Sequence, residues 1–166
     1  KFSAFVKKIG ETFKNNNLMA SVAVVAKISE NPNDYRNNLW QKLIGVYDYQ
    51  AIASSTDFIS LMSYDDPTSK GPVAGYLWLQ NTLRHTLSLV PSEKISLGIP
   101  LYYWVWNDTK GKLVDIGGYS AMLKAYKKHY ITENYSIAES APYLSWWSYS
   151  NNYKLWYENA ASIKKK

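Results

Sequence analysis

Asp57-Phe-Ile-Ser-Leu-Met-Ser-Tyr-Asp65 is the stretch that decides the fold. Between two aspartates it carries an apolar run that ends on a tyrosine. A short, largely apolar segment bounded by turn residues is the pattern of a strand in a parallel sheet, and Asp65-Asp66-Pro67 stops it. Two further runs share this character. Leu18 to Ala26 is built of small and β-branched residues and reads as a strand buried on both faces, and Ile95 to Leu101 reads as a third strand that ends at Pro100.

Helical periodicity fills the spaces between these runs. Phe2, Phe5, Val6, Ile9 and Phe13 recur at helical spacing before Asn15-Asn16-Asn17 breaks the pattern. A polar loop from Ser29 to Asn38 leads to a short segment, Tyr47 to Ser55, with Asp48 as its cap. Tyr76, Leu79, Leu83 and Leu87 mark another helix, which Pro91 ends. Strands alternating with helices predict right-handed βαβ units and a parallel sheet. Beyond Asn107 the pattern changes to one helix (Tyr119, Met122, Leu123, Tyr126) and two aromatic strands, Tyr143 to Ser148 and Tyr153 to Tyr157, with Ser150-Asn151-Asn152 as the turn. The expected division is residues 1–107 as α/β units and 108–166 as a small α+β insert.

Composition excludes several functions. Without cysteine there is no disulfide scaffold or thiolate metal site, and His85 and His129 are too far apart in sequence to suggest a metal cluster or a Ser-His-Asp triad. No cofactor is expected. The net charge of +6 is dispersed, with Lys7-Lys8, Lys127-Lys128 and Lys164-Lys165-Lys166 as its densest runs, so no nucleic-acid partner is expected. No apolar run is long enough to span a membrane, and the opening residues are not a signal peptide. Fifteen tyrosines and seven tryptophans would suit either a core or a surface that stacks sugars.

In parallel α/β proteins the functional groups collect at the carboxyl ends of the strands. The second run delivers Met62, Tyr64 and Asp65 there, and the third is followed by Tyr102, Tyr103, Trp104 and Trp106. A tyrosine hydroxyl and a carboxylate at a strand tip can hydrogen-bond a ligand. The same pair also suits a packing tyrosine and a turn-capping aspartate. Alternation sends Tyr102, Trp104 and Trp106 to one face and Tyr103 and Val105 to the other, so core and groove readings both stand for the rings.

The motif at Met62 to Asp65 resembles the Met-x-Tyr-Asp of the sixth barrel strand in glycoside hydrolase family 18, and Leu97-Gly-Ile-Pro-Leu-Tyr102 resembles that family's seventh strand. Ser21-Val-Ala-Val-Val-Ala-Lys27 is similar to its fifth strand. Gly71-Pro72-Val73-Ala74, Pro91-Ser-Glu-Lys-Ile95 and Leu155-Trp-Tyr-Glu-Asn-Ala-Ala-Ser162 resemble the bacterial members that act on peptidoglycan and spore cortex.

The resemblance implies a partial (β/α)8 barrel, strands five to seven with their helices, plus the insert and the start of the last barrel helix. It implies a chitinase-like glycosidase of N-acetylglucosamine-containing polysaccharide, peptidoglycan or chitin, that is secreted or bound to the cell wall. In that family a glutamic acid protonates the glycosidic oxygen while the substrate's own acetamido carbonyl attacks the anomeric carbon, an exception to the two-carboxylate scheme. No Asp-x-Glu occurs in residues 1–166, so the general acid is expected outside them.

By position, the resemblance makes Tyr64 and Asp65 supporting catalytic residues and Met62, Tyr102 and Trp106 substrate-binding ones. The chain has Tyr103-Trp104 where the family often has Gly-Arg, so it holds no arginine there to contact substrate. Expected partners are an N-acetylglucosamine oligosaccharide and either the N-terminal half of the barrel or a second copy of the chain to cover the open strand edges. The alternative is a non-catalytic, chitinase-like carbohydrate-binding barrel.

Overall fold

The computed structural model describes residues 1–126 and 131–166; Lys127, Lys128 and His129 lie outside the described residues. The elements run α1 (Phe2–Asn15), β1 (Ser21–Val25), α2 (Leu39–Lys42), α3 (Tyr49–Ser55), β2 (Phe58–Met62), α4 (Tyr76–Leu89), β3 (Ile95–Leu97), β4 (Tyr102–Asn107), β5 (Lys112–Gly118), α5 (Tyr119–Tyr126), β6 (Thr132–Ser136), β7 (Ala141–Ser148), β8 (Asn151–Trp156) and α6 (Ala160–Lys165). The chain forms two compact units. One comprises residues 1–63 and 80–98, the other residues 64–79 and 99–166.

In the first unit β1, β2 and β3 form a parallel sheet in that order, with Val22 opposite Ile59, Val24 opposite Leu61 and Ser60 opposite Ser96. The three expected runs thus become parallel strands. Val24, Ile59 and Leu61 are fully buried, and Val6, Ile52 and Ala53 join them in the core. On the opposite face Ser21, Ala23 and Ser96 are exposed, while Val25, Phe58, Ser60 and Met62 are half-buried. The first run is therefore buried on one face only: Leu18 and Met19 at its start are exposed, as are Ser21 and Ala23 at alternate positions of the strand.

Helix α1 packs on α3, and its Asn17 takes a left-handed φ of 56° where the asparagine run ends the helix. Helix α3 is capped as expected, with the Asp48 carboxylate accepting from the Ala51 N–H at 3.0 Å. At its other end Lys94 Nζ donates to the carbonyls of Ala53 (2.6 Å) and Thr56 (2.9 Å), satisfying acceptors that the helix leaves open.

The second unit holds an antiparallel sheet in the order β5-β4-β8-β7-β6. Its core is Tyr103, Val105, Leu144, Leu155 and Tyr157, covered by Met122 from α5. Three strand-level expectations change here. The third run ends at Leu97, Leu101 is 71% exposed, and Tyr102–Asn107 joins the antiparallel sheet. β5 and β6 are additional strands whose side chains are mostly exposed, which leaves them without an apolar alternation to read. The β7–β8 turn is Tyr149-Ser150, both at positive φ, and Asn151 and Asn152 lie in β8. Ser148 pairs with Asn151, so the connection is a two-residue turn with both central residues left-handed.

Candidate active site

The chain leaves β2 at Met62, which is half-buried, and Ser63 holds the strand exit by donating to the Gly98 carbonyl at 2.7 Å. Tyr64 and Asp65 follow as the first residues of the second unit. Asp65 has φ 59°, a conformation aspartate tolerates better than most side chains. This turn sends successive carboxylates to different tasks. Asp65 is exposed and accepts the Tyr102 hydroxyl at 2.5 Å. Asp66 is buried, and its Oδ1 accepts from the Thr68 N–H (2.8 Å) and hydroxyl (2.7 Å).

Tyr64 meets Tyr102 edge to face, with ring centroids 6.3 Å apart and planes at 82°. The structure therefore brings together three of the expected site residues, Tyr64, Asp65 and Tyr102. Burial, followed by the Asp65 hydrogen bond and charge, pushes the Tyr102 hydroxyl well above the ordinary phenol range. It stays a neutral donor and fixes Asp65 as an acceptor.

Trp106 sits on the same face of β4 as Tyr102, four residues further on and about 13 Å along the strand. Its indole N–H donates to the Gly71 carbonyl at 2.8 Å, and its ring meets Trp104 edge to face at 5.9 Å. The loop that receives it is closed by the Asp66 N–H to the Val73 carbonyl (2.9 Å) and by the Ser69 hydroxyl to the Pro72 carbonyl (2.7 Å). Alternation across β4 holds as expected. Tyr103 and Val105 enter the core, while Trp104 pairs across to Trp156.

Sequence reasoning missed two ionic groupings. Glu158 and Lys166 are both buried and bond at 2.5 Å, and Lys166 also donates to the Ala74 carbonyl at 2.8 Å. Glu158 lines a cleft of about 400 Å3 with Tyr102, Tyr119 and Met122. In the first unit the buried Lys27 bonds Glu30 at 3.0 Å and lies 4.8 Å over the Trp40 ring, and His85 meets the same Glu30 at 3.2 Å. A single lysine after a strand gives no signal of burial, so neither pairing was legible. Among the described residues no grouping of His, Asp and Glu could hold a metal ion, and no helix is long and apolar enough to cross a membrane.

A parallel sheet that ends in a tyrosine-aspartate turn, followed by an aromatic antiparallel unit, matches the model of the glycosyl hydrolases family 18 over residues 1–166. The chain belongs to that family. Among curated proteins it is 23% identical to the cortical fragment-lytic enzyme of Bacillus anthracis, over 88% of this chain and 34% of that protein. Among solved structures it is similar to ydhD of Bacillus subtilis (TM-score 0.83, 22% identity, 99% of this chain and 54% of that one). It is also similar to a chitinase of Chromobacterium violaceum (TM-score 0.78, 24% identity, 97% and 49%). The chain spans 34–47% of the length of the curated relatives it matches.

Proposed function

We propose that this chain is the C-terminal part of the barrel of a family 18 glycosidase that hydrolyses N-acetylglucosamine-containing polysaccharide, with the general acid supplied by polypeptide outside residues 1–166. The observation that carries this reading is the Tyr64, Asp65 and Tyr102 constellation at the carboxyl end of the parallel strands. The relatives named as a cortical fragment-lytic enzyme and a chitinase indicate this substrate class.

On this reading β1, β2 and β3 are the family's strands five to seven, and residues 108–166 are its small α+β insert and the start of the last barrel helix. The Tyr64 hydroxyl donates to the acetamido group as that group attacks the anomeric carbon. Its bond aims the carbonyl oxygen at the anomeric carbon, a positioning effect, since that oxygen loses acceptor strength as positive charge develops on the forming oxazolinium. Asp65, locked by Tyr102, presents its remaining acceptor capacity to the sugar. Met62 and Trp106 are each substrate-binding residues on this reading, through the apolar surface of their side chains. Such an enzyme acts at the cell wall or outside the cell, where its polymer lies.

The test is hydrolysis of an N-acetylglucosamine oligosaccharide by the protein containing this segment, with the anomeric form of the first product read by NMR. Retention of configuration, together with loss of turnover in Asp65→Asn, is expected. Absence of hydrolysis, or an inverted product, would overturn the proposal.

A further inference from the structure

Asp66 is the buried neighbour of the exposed Asp65, and it takes no part in the Tyr64, Asp65 and Tyr102 constellation. Taking a carboxylate out of water is costly unless hydrogen bonds offset the loss. Its Oδ1 accepts both the N–H and the hydroxyl of Thr68, a local turn that aspartate favours, and its carbonyl accepts the Ser69 N–H at 3.2 Å. Its Oδ2 lies against Gly75. A Cβ added at Gly75 would stand 2.6 Å from that oxygen, closer than Cβ contacts come. The carboxylate therefore spans residues 66–75 from the first turn to the last residue, and it fits because position 75 has no side chain.

The loop held in this way carries a contact of the site. Ser69 Oγ accepts the Gly71 N–H at 2.9 Å and donates to the Pro72 carbonyl, so the turn is closed on itself and presents the Gly71 carbonyl to the Trp106 indole N–H. At the far end the Ala74 carbonyl accepts from Lys166, and the Tyr76 N–H donates to Glu139 Oε2 at 3.1 Å. All of these residues belong to the second unit. Where Trp106 stands thus depends on where the loop puts the Gly71 carbonyl, and the Asp66 side chain fixes the loop.

Asp65 is held by other means. Its own carboxylate bonds Tyr102, and the turn that follows it is closed by the backbone N–H of Asp66 on the Val73 carbonyl. Neither bond uses the Asp66 side chain. Removing that carboxylate should displace Trp106 and leave Tyr64 and Asp65 in place, which separates binding from chemistry.

We propose that Asp66 is a positioning residue for substrate binding: its carboxylate sets the 66–75 loop and, through the Gly71 carbonyl, the Trp106 indole, without touching the sugar itself. This inference rests on the proposed substrate class and on the substrate-binding role of Trp106. In the protein containing this segment, Asp66→Ala should raise KM for an N-acetylglucosamine hexamer, and its Kd by calorimetry, about five- to tenfold, the effect of one misplaced aromatic contact, while kcat stays within about twofold. Asp66→Asn keeps the Oδ1 acceptor for Thr68 and should restore most of the affinity. Gly75→Ala forces Oδ2 from its place with Asp66 intact and should raise KM as Asp66→Ala does. Adding Asp66→Ala to Trp106→Phe, which lacks the indole N–H, should raise KM no further, because both act through the same bond. A fall in kcat with KM unchanged, or equal loss in the presence and absence of the indole N–H, would overturn the role of Asp66 and leave the glycosidase reading standing. A protein that binds the hexamer without cleaving it would overturn that reading, and the Kd values would still decide for or against Asp66; one that neither binds nor cleaves would overturn both.

Discussion

Gly10 lies in α1 with its Cα against the last turn of α3, and a Cβ added there would stand 1.9 Å from the Ser55 carbonyl oxygen and 3.1 Å from its carbon. Ordinary contact begins near 3.4 Å, so the two helices must part by 1.5 Å to admit a methyl group. The α3 terminus cannot yield easily, because Lys94 Nζ grips the carbonyls of Ala53 and Thr56 on either side of Ser55. Overpacking of this kind costs about 1–3 kcal/mol. Replacing a helix-interior glycine by alanine returns roughly 0.5–1 kcal/mol through the unfolded chain and helix propensity. At mid-range the clash wins, and Gly10→Ala should destabilise by about 1 kcal/mol net, lowering the melting temperature by roughly 2–4 °C for a domain of this size. Calorimetric melts of the protein containing this segment, with and without the substitution, measure the difference. A variant that melts higher than the parent would refute the packing argument, since that is the sign expected if only helix propensity acted.

Tyr64→Phe in the same protein should lower kcat more than it raises KM, because its hydrogen bond aims the acetamido oxygen at the anomeric carbon, and losing that alignment together with a neutral hydrogen bond costs about 0.5–1.5 kcal/mol; an unchanged kcat would show that Tyr64 only packs. Tyr49 is buried and donates to the Val25 carbonyl, and burial raises its phenol well above the usual range. Below an unfolded pKa of about 10 it is neutral in both states, and above that value the unfolded chain ionises first, so its stability contribution is lost as pH rises. Urea titrations above about pH 10 should show Tyr49→Phe with a slope shallower by roughly 1.4 kcal/mol per pH unit, and an identical slope would contradict this. Residues 1–166 alone should not persist as a compact monomer, because β1 and β3 each pair only with β2 among the described residues and open edges recruit other strands. They should instead retain a co-purifying N-terminal part of the barrel or pair with a second copy; light scattering that returns a 19.0 kDa monomer with protected amides from Leu18 to Ala26 would refute it.

The parallel unit was legible because each strand run has its own apolar signature and each helix a spacing or a cap, as at Asp48 and Pro91. The antiparallel unit was read only where it is aromatic. β7 and β8 place Leu144, Trp146, Tyr153 and Leu155 on one face, whereas β5, with six of its seven residues exposed, offers no alternation at all. Tyr102 to Asn107 was not read as a strand of the second sheet because Gly98-Ile-Pro100 separates it from β3 without any change in apolar character. For the site, Tyr64 and Asp65 were visible as the end of a strand, but their union with Tyr102 spans 37 residues and depends on the left-handed turn at Asp65. The buried Glu158–Lys166 pair was hidden because a lysine near a chain end ordinarily reads as solvated.

The central claim is that these residues hold the positioning half of a glycosidase and not its acid. It is tested most directly by assaying an N-acetylglucosamine oligosaccharide with residues 1–166 alone, with the complementary N-terminal polypeptide alone, and with the two combined. The account predicts turnover only from the combination, since a positioned general acid contributes about 10² to 10⁴-fold. Turnover by residues 1–166 alone that survives repurification, and is abolished by a substitution within them, would contradict it.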